Sequence, residues 1–287
     1  MKRQPAQVYD GPKTPGIDVS KYQGVIDWGA VSRSEVRFAV VRTGDGRDTD
    51  PTAVRNLTGA HDAGLLVGVY HYIRARHGSA VNLDIILDVL RTAAVPIGFI
   101  AIDVEGAAAN VRKARAGSGA WLGDVSTTEV MAVISEMVDE LQRRGHMVVL
   151  YTGQAWHDHI SRLGLRPPVG IPLWVPYYSH RDRPSVPTYI DGTRVWEPWT
   201  IWQYAGSKAV PGSCPGIVGN VDLNHFRGDE EALRAWMDPA RRSTPLAPKP
   251  APFRRSEIEA LAMRAAASDD KPAALALIEA LDGLGKG

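Results

Sequence analysis

Five times between Gly16 and Leu163, a short apolar run rich in branched and aromatic residues gives way to a stretch with helical spacing. The runs cover residues 16–20, 36–42, 65–72, 98–105 and 147–151. Strands apolar at nearly every position need cover on both faces, which a parallel sheet with crossover helices supplies. Helical stretches are expected from Trp28 to Ser34, Asp50 to Gly64, Ser79 to about Ala94, Ser126 to Gly145 and Trp156 to Leu163. Asp50-Pro51 reads as an N-cap with proline at the first helical position. Ser126-Thr127-Thr128-Glu129 reads as a capping box, followed at helical spacing by Val130, Val133, Ile134, Met137, Val138 and Leu141. The pattern then changes. Residues 172–175, 199–204 and 216–223 read as strands with no long helix between them, and residues 228–237 as a closing helix. Five β/α units followed by three bare strands predict an α/β fold: a modified TIM-like barrel with part of its helical ring missing.

Barrels of this kind gather their chemistry at the carboxyl ends of the strands. The polar and aromatic residues at those ends are Asp18, Arg42, Tyr70, Tyr72, Asp103, Glu105, Tyr151, Trp174, Gln203 and Asp222. Within Ile102-Asp103-Val104-Glu105, strand alternation sends both carboxylates to one face. Paired carboxyl groups suit glycosidic bond cleavage, one protonating the leaving oxygen and another handling the developing positive charge. A strand end that simply meets water would also carry acidic residues. The convergence of so many strand ends favours the site. His71 is expected to pack in the wall. His157 and His159 lack a matching third ligand, so no metal is expected, and no cofactor is implied.

Ordered blocks along the chain carry a resemblance. They are Gly16-Ile17-Asp18-Val19-Ser20-Lys21-Tyr22-Gln23-Gly24 with Ile26-Asp27-Trp28, then Phe38-Ala39-Val40-Val41-Arg42 and Gly68-Val69-Tyr70-His71-Tyr72. Ile102-Asp103-Val104-Glu105, Val149-Leu150-Tyr151-Thr152-Gly153, Pro172-Leu173-Trp174-Val175, Trp202-Gln203-Tyr204 and Val221-Asp222-Leu223-Asn224 follow. In this order they resemble glycoside hydrolase family 25, the muramidases also found in phage endolysins. The resemblance implies cleavage, with retention, of N-acetylmuramic acid–N-acetylglucosamine linkages in bacterial peptidoglycan. It makes Glu105 the general acid and Asp18, Asp103 and Asp222 the other acidic residues. Asp103 would orient the substrate's own 2-acetamido group, while a direct carboxylate nucleophile is the competing route. Tyr70, Tyr72, Tyr151, Trp174, Tyr177 and Gln203 would line the saccharide groove. Arg42 would contact substrate or partner the acidic cluster. Pro176 and the Ala-rich stretch after Glu105 depart from the family's pattern. The family 18 chitinases also end a strand in Asp-x-Glu, but Gly98 and Ala101 break their longer motif. A non-catalytic sugar-binding or structural phage tail protein is the alternative, and it is disfavoured because no acidic position is lost.

The expected organisation is an N-terminal extension (1–15), a catalytic barrel (16–238), a Pro-rich linker (239–252) and a helical segment (253–287). The last is too short to bury a core alone, which points to wall binding, self-association or another partner, or else to a loosely ordered helical tail with no role in recognition. The stretch 107–125 reads as a basic loop or lid. A net charge of +1 argues against a nucleic-acid partner, and no apolar run approaches bilayer-spanning length. One cysteine, Cys214, leaves no internal disulfide. The first residues show no apolar signal region, so a protein made in the cytoplasm and acting at the wall, as phage lysins do, is expected, with a virion-borne protein or a bacterial enzyme exported by another route as the alternatives.

Overall fold

Branched residues dominate the strands, where a side chain branched at Cβ packs well on a pleated surface. A computed structural model describes residues 9–105, 125, 127–162, 164–168, 170–178, 184, 186, 196, 199–238 and 240. Its strands are β1 (Lys13–Val19), β2 (Phe38–Asp45), β3 (Asp48–Thr49), β4 (Leu66–Tyr72) and β5 (Ile100–Asp103). β6 (Val148–Tyr151), β7 (Leu173–Pro176), β8 (Ile201–Ala205) and β9 (Asp222–Arg227) complete them. The helices are α1 (Trp28–Ser32), α2 (Ala53–Asp62), α3 (Gly78–Ala93), α4 (Thr127–Arg143), α5 (Gln154–Arg162) and α6 (Glu230–Met237).

The strand order is β1-β9-β8-β7-β6-β5-β4-β2, and pairing of β1 with β2 closes it into an eight-stranded barrel. β3 hangs on β2 as a short hairpin. Around the barrel, β1, β2, β4, β5, β6, β7 and β8 run parallel to their neighbours in that series, whereas β9 runs antiparallel to both β8 and β1. Alternation divides the side chains into two layers. Phe38, Val40, Phe99, Ala101, Val149, Tyr151, Trp174, Ile201 and Phe226 fill the interior. Ala39, Val41, Val67, Val69, Ile100, Ile102, Leu150 and Leu173 join an outer cluster with Leu57, Ile86, Val89, Ile134 and Met137 of α2, α3 and α4. Gly16 and Gly68 make room for rings: a β-carbon there would meet Phe38 at 2.3 Å and Phe99 at 2.7 Å. Leu233 and Met237 of α6 pack into the same interior cluster and plug the barrel floor.

Behind the barrel wall a buried polar network pins α3 to β4. His71 Nε2 faces two acceptors, Gly46 O at 3.1 Å and Asn82 Oδ1 at 3.2 Å, so it carries the ring proton. Burial pushes the His71 pKa down to about 4 and keeps the ring neutral. His71 is thus a wall residue, as its sequence context suggested.

Three expectations change. The last strand is Asp222–Arg227 rather than residues 216–223, because Gly216 and Gly219 take positive φ in the loop before it. α2 is regular only from Ala53, two residues after Pro51; the Asp50 carboxylate still accepts from Thr52 N at 2.9 Å, as an N-cap does, and also holds Lys21 N and Arg42. β1 starts at Lys13, where it pairs with Arg227. The basic loop apart from Val125, Ser126 of the expected capping box, the linker apart from Ala240, and the C-terminal helical segment lie outside the described residues. Among the described residues no helix is long and apolar enough to cross a membrane.

Candidate active site

Two strands deliver one pair of carboxylates and a third delivers the other. Asp18, next to last in β1, stands opposite Asp222, the first residue of β9. Because β9 runs backwards, its amino end arrives where the parallel strands present their carboxyl ends. Asp103 ends β5, and the extended backbone continues through Val104, whose N–H donates to Tyr151 O at 2.9 Å. Val104 is buried in the outer layer. Asp103 is buried, whereas Glu105 stands exposed at the mouth.

A chain of hydrogen bonds orients Asp18, and one donor-only atom sets its direction. The Trp174 indole N–H donates to Asn224 Oδ1 at 2.8 Å, which turns the Asn224 amide N–H toward Asp18 Oδ2 at 2.7 Å. Gln203 Nε2 donates to the same oxygen at 2.8 Å. Gln203 Oε1 in turn accepts from the hydroxyls of Tyr151 at 2.8 Å and Tyr178 at 2.6 Å. The indole thus locks the Asn224 amide with its N–H group toward the carboxylate, and Gln203 presents its N–H group to the same oxygen.

Crowding sets the protonation. Burial, then the charge of Asp222, pushes the Asp18 carboxyl well above the usual carboxylate range. Burial raises Asp222 to about 6, offset in part by a hydrogen bond from Asp18. The bond that raises Asp18 lowers Asp222, so the two carboxyls titrate as a pair that resists carrying two charges. Asp103 is pushed well up by burial, then by Glu105, Asp18 and Asp45. Glu105 is raised by burial and by Asp18. Glu105 is partly enclosed by the site yet open to solvent, a placement that lets a proton be held and handed outward. Asp103 Oδ1 is buried with no hydrogen-bond partner among the described residues.

The other expected site residues divide. Tyr70 packs edge-on to Trp174 with ring centroids 6.0 Å apart, and Tyr151 does so at 4.8 Å. Trp174 is only 1% exposed, so it is the floor beneath the carboxylates rather than an open platform. The Tyr72 hydroxyl donates to Glu105 O at 3.1 Å. Arg42 is not bonded to the acidic four: both Nε, at 2.9 Å, and an NH2 group, at 2.8 Å, reach Asp50 Oδ2. Its charge still moderates the rise at Asp103. Tyr177, expected in the groove, packs against the outer cluster, because alternation from Trp174 and Pro176 puts Tyr178 on the inner face. Tyr178 and Asn224 were missed, although period two from Trp174 and from Asp222 points to both. Among the described residues no three His, Cys, Asp or Glu side chains are grouped to hold a metal ion.

The profile of the glycosyl hydrolases family 25 matches residues 17–213. The chain belongs to glycosyl hydrolase family 25. It is a glycoside hydrolase of the muramidase type, in keeping with its resemblance to that family. Lysozyme M1 of Streptomyces globisporus is 27% identical over 229 residues, covering 77% of this chain and 70% of that protein. The bacterial lysozyme of Streptomyces coelicolor superposes with a TM-score of 0.62 at 26% identity, covering 79% of this chain and 98% of that one. A family 25 lysozyme from Aspergillus fumigatus shares the fold, with a TM-score of 0.60 at 20% identity over 79% of this chain and all of that one. The family 25 profile stops before Asp222, so that residue's place in the site comes from the antiparallel β9.

Proposed function

We propose that this family 25 enzyme cleaves the β-1,4 linkage between N-acetylmuramic acid and N-acetylglucosamine in peptidoglycan, with retention, and so lyses cell walls. Glu105 donates its proton to the glycosidic oxygen as the bond to the anomeric carbon breaks. The carbonyl oxygen of the substrate's 2-acetamido group attacks that carbon from the opposite side, while Asp103 accepts the acetamido N–H. Glu105, now a carboxylate, takes a proton from the incoming water, which reopens the ring intermediate with a second inversion.

The observation that carries this reading is the unequal pair at the end of β5. One raised carboxyl is open to solvent, and the other is buried with an unpartnered acceptor oxygen. A buried acceptor without a donor is costly, and an amide N–H from the substrate would satisfy it. Burial of Asp103 favours this hydrogen-bonding role over direct attack. Asp18 and Asp222 supply negative potential for the positively charged transition state.

Glu105→Gln keeps the shape and removes the transferable proton. We expect it to abolish both clearing of cell-wall suspensions and release of new reducing ends, with the thermal midpoint unchanged. Wild-type protein that released free amines but no reducing ends would overturn the reading.

A further inference from the structure

Tyr72 was expected to line the groove, but its surroundings give it a different task. Its ring lies under the Arg74 guanidinium, whose central carbon is 4.6 Å from the ring centroid. That guanidinium is held in turn by a fork to Asp45, Nε to Oδ1 at 2.5 Å and an NH2 group to Oδ2 at 2.9 Å. The Arg74 backbone is fixed as well. Its N–H donates to Asn82 Oδ1 at 3.1 Å, and its carbonyl accepts from Asn82 Nδ2 at 3.2 Å, with Asn82 fully buried. The far end of Tyr72 donates to the backbone carbonyl of Glu105, two residues beyond the end of β5.

We propose that Asp45 and Arg74 are positioning residues for Glu105, acting through Tyr72: the ion pair clamps the tyrosine ring, and its hydroxyl fixes the peptide unit of the general acid. The proposal rests on the role of Glu105 given above. Two alternatives fit less well. As an anion receptor for substrate carboxylates Arg74 would need an uncompensated charge, and Asp45 already neutralises it. As a sugar platform Tyr72 would offer its hydroxyl to substrate, and that hydroxyl is already committed to the Glu105 carbonyl, with one ring face covered by the guanidinium. The fork geometry matters because arginine presents two parallel donors, whereas lysine offers one point charge. An acid held a fraction of an ångström off line loses rate without losing substrate affinity.

The test is a double-mutant cycle on cell-wall hydrolysis, scored by reducing ends, using the full chain. Tyr72→Phe keeps the ring and removes only the hydroxyl; we expect kcat to fall about five-fold, the worth of one ordinary hydrogen bond, with KM unchanged. Arg74→Ala and Asp45→Asn should fall by a similar factor, and Arg74→Lys should recover part of it. In the Tyr72→Phe background, Arg74→Ala should have no further effect on kcat. Thermal midpoints separate any loss of fold from loss of alignment. Independent, multiplying effects, or a rise in KM at constant kcat for Tyr72→Phe, would overturn the proposal and return Tyr72 to the groove wall. Inactive wild-type protein would instead count against the muramidase reading, so the two failures are distinguishable.

Discussion

Gly206 follows β8 and lies against Asp222. A β-carbon at that position would fall 1.5 Å from Asp222 Oδ1, and its φ of +132° is one that side-chain-bearing residues rarely adopt. Gly206→Ala must therefore shift the Asp222 carboxylate away from Asp18. We expect a fall in activity of about ten- to a hundred-fold and a stability loss of about 1–3 kcal/mol. Initial hydrolysis rates and urea titration check the two. Neither this contact nor the Trp174–Asn224–Asp18 chain is legible in the sequence, since both depend on which strands become neighbours. The four carboxylates and Gln203 are legible, because each is a polar residue at or near the end of an apolar run. Tyr177 shows where the reading slips: beyond a strand's last apolar residue, composition favours either tyrosine, and only the count of two from Trp174 separates them.

At the scale of elements, apolar runs identify β2, β4, β5 and β6 because these strands are covered on both faces. β9 evades the same reading. Its inward residues include the polar Asn224, and its outward side carries His225 beside Tyr204, stacked with ring centroids 4.3 Å apart. A strand packed through polar and ring contacts lacks the branched signature, so the strand signal in the sequence falls on the apolar residues just before it. Its direction is equally hidden, yet only an antiparallel β9 brings Asp222 to the mouth and Phe226 to the floor. The floor is completed by α6, whose Asp229 N-cap accepts from Ala232 N at 2.8 Å. Leu233, fully buried there, sits at the opposite end of the barrel from the carboxylates. Leu233→Ala should cost about 2–5 kcal/mol in urea-measured stability. Activity per folded molecule should be unchanged at temperatures where the variant remains folded. A selective loss of activity would mean that the floor and the mouth are coupled.

For the whole molecule, the acidic mouth is a cost that the barrel core must carry. Asp18 and Asp222 face each other across β1 and β9, a placement in which like charges destabilise a sheet. The folded-state pKa of Asp222, about 6, lies above the value near 3.9 of an unperturbed aspartate. Below the lower value both states bind the proton and no penalty exists. Between the two the folded chain holds a proton that the unfolded chain has released, so stability falls as pH rises through this window. Above about 6 the penalty is complete. Asp222→Asn removes the titrating group and relieves the charge that raises Asp18. The variant should match wild type near pH 3 and become more stable by on the order of 1–2 kcal/mol at pH 7. That corresponds to about 2–4 °C in thermal midpoint per kcal/mol for a domain of this size. Hydrolysis should fall in the same variant. Thermal melts of both proteins across pH 3–8 check the sign: a variant less stable than wild type at pH 7 would mean that the pair stabilises the barrel rather than burdening it.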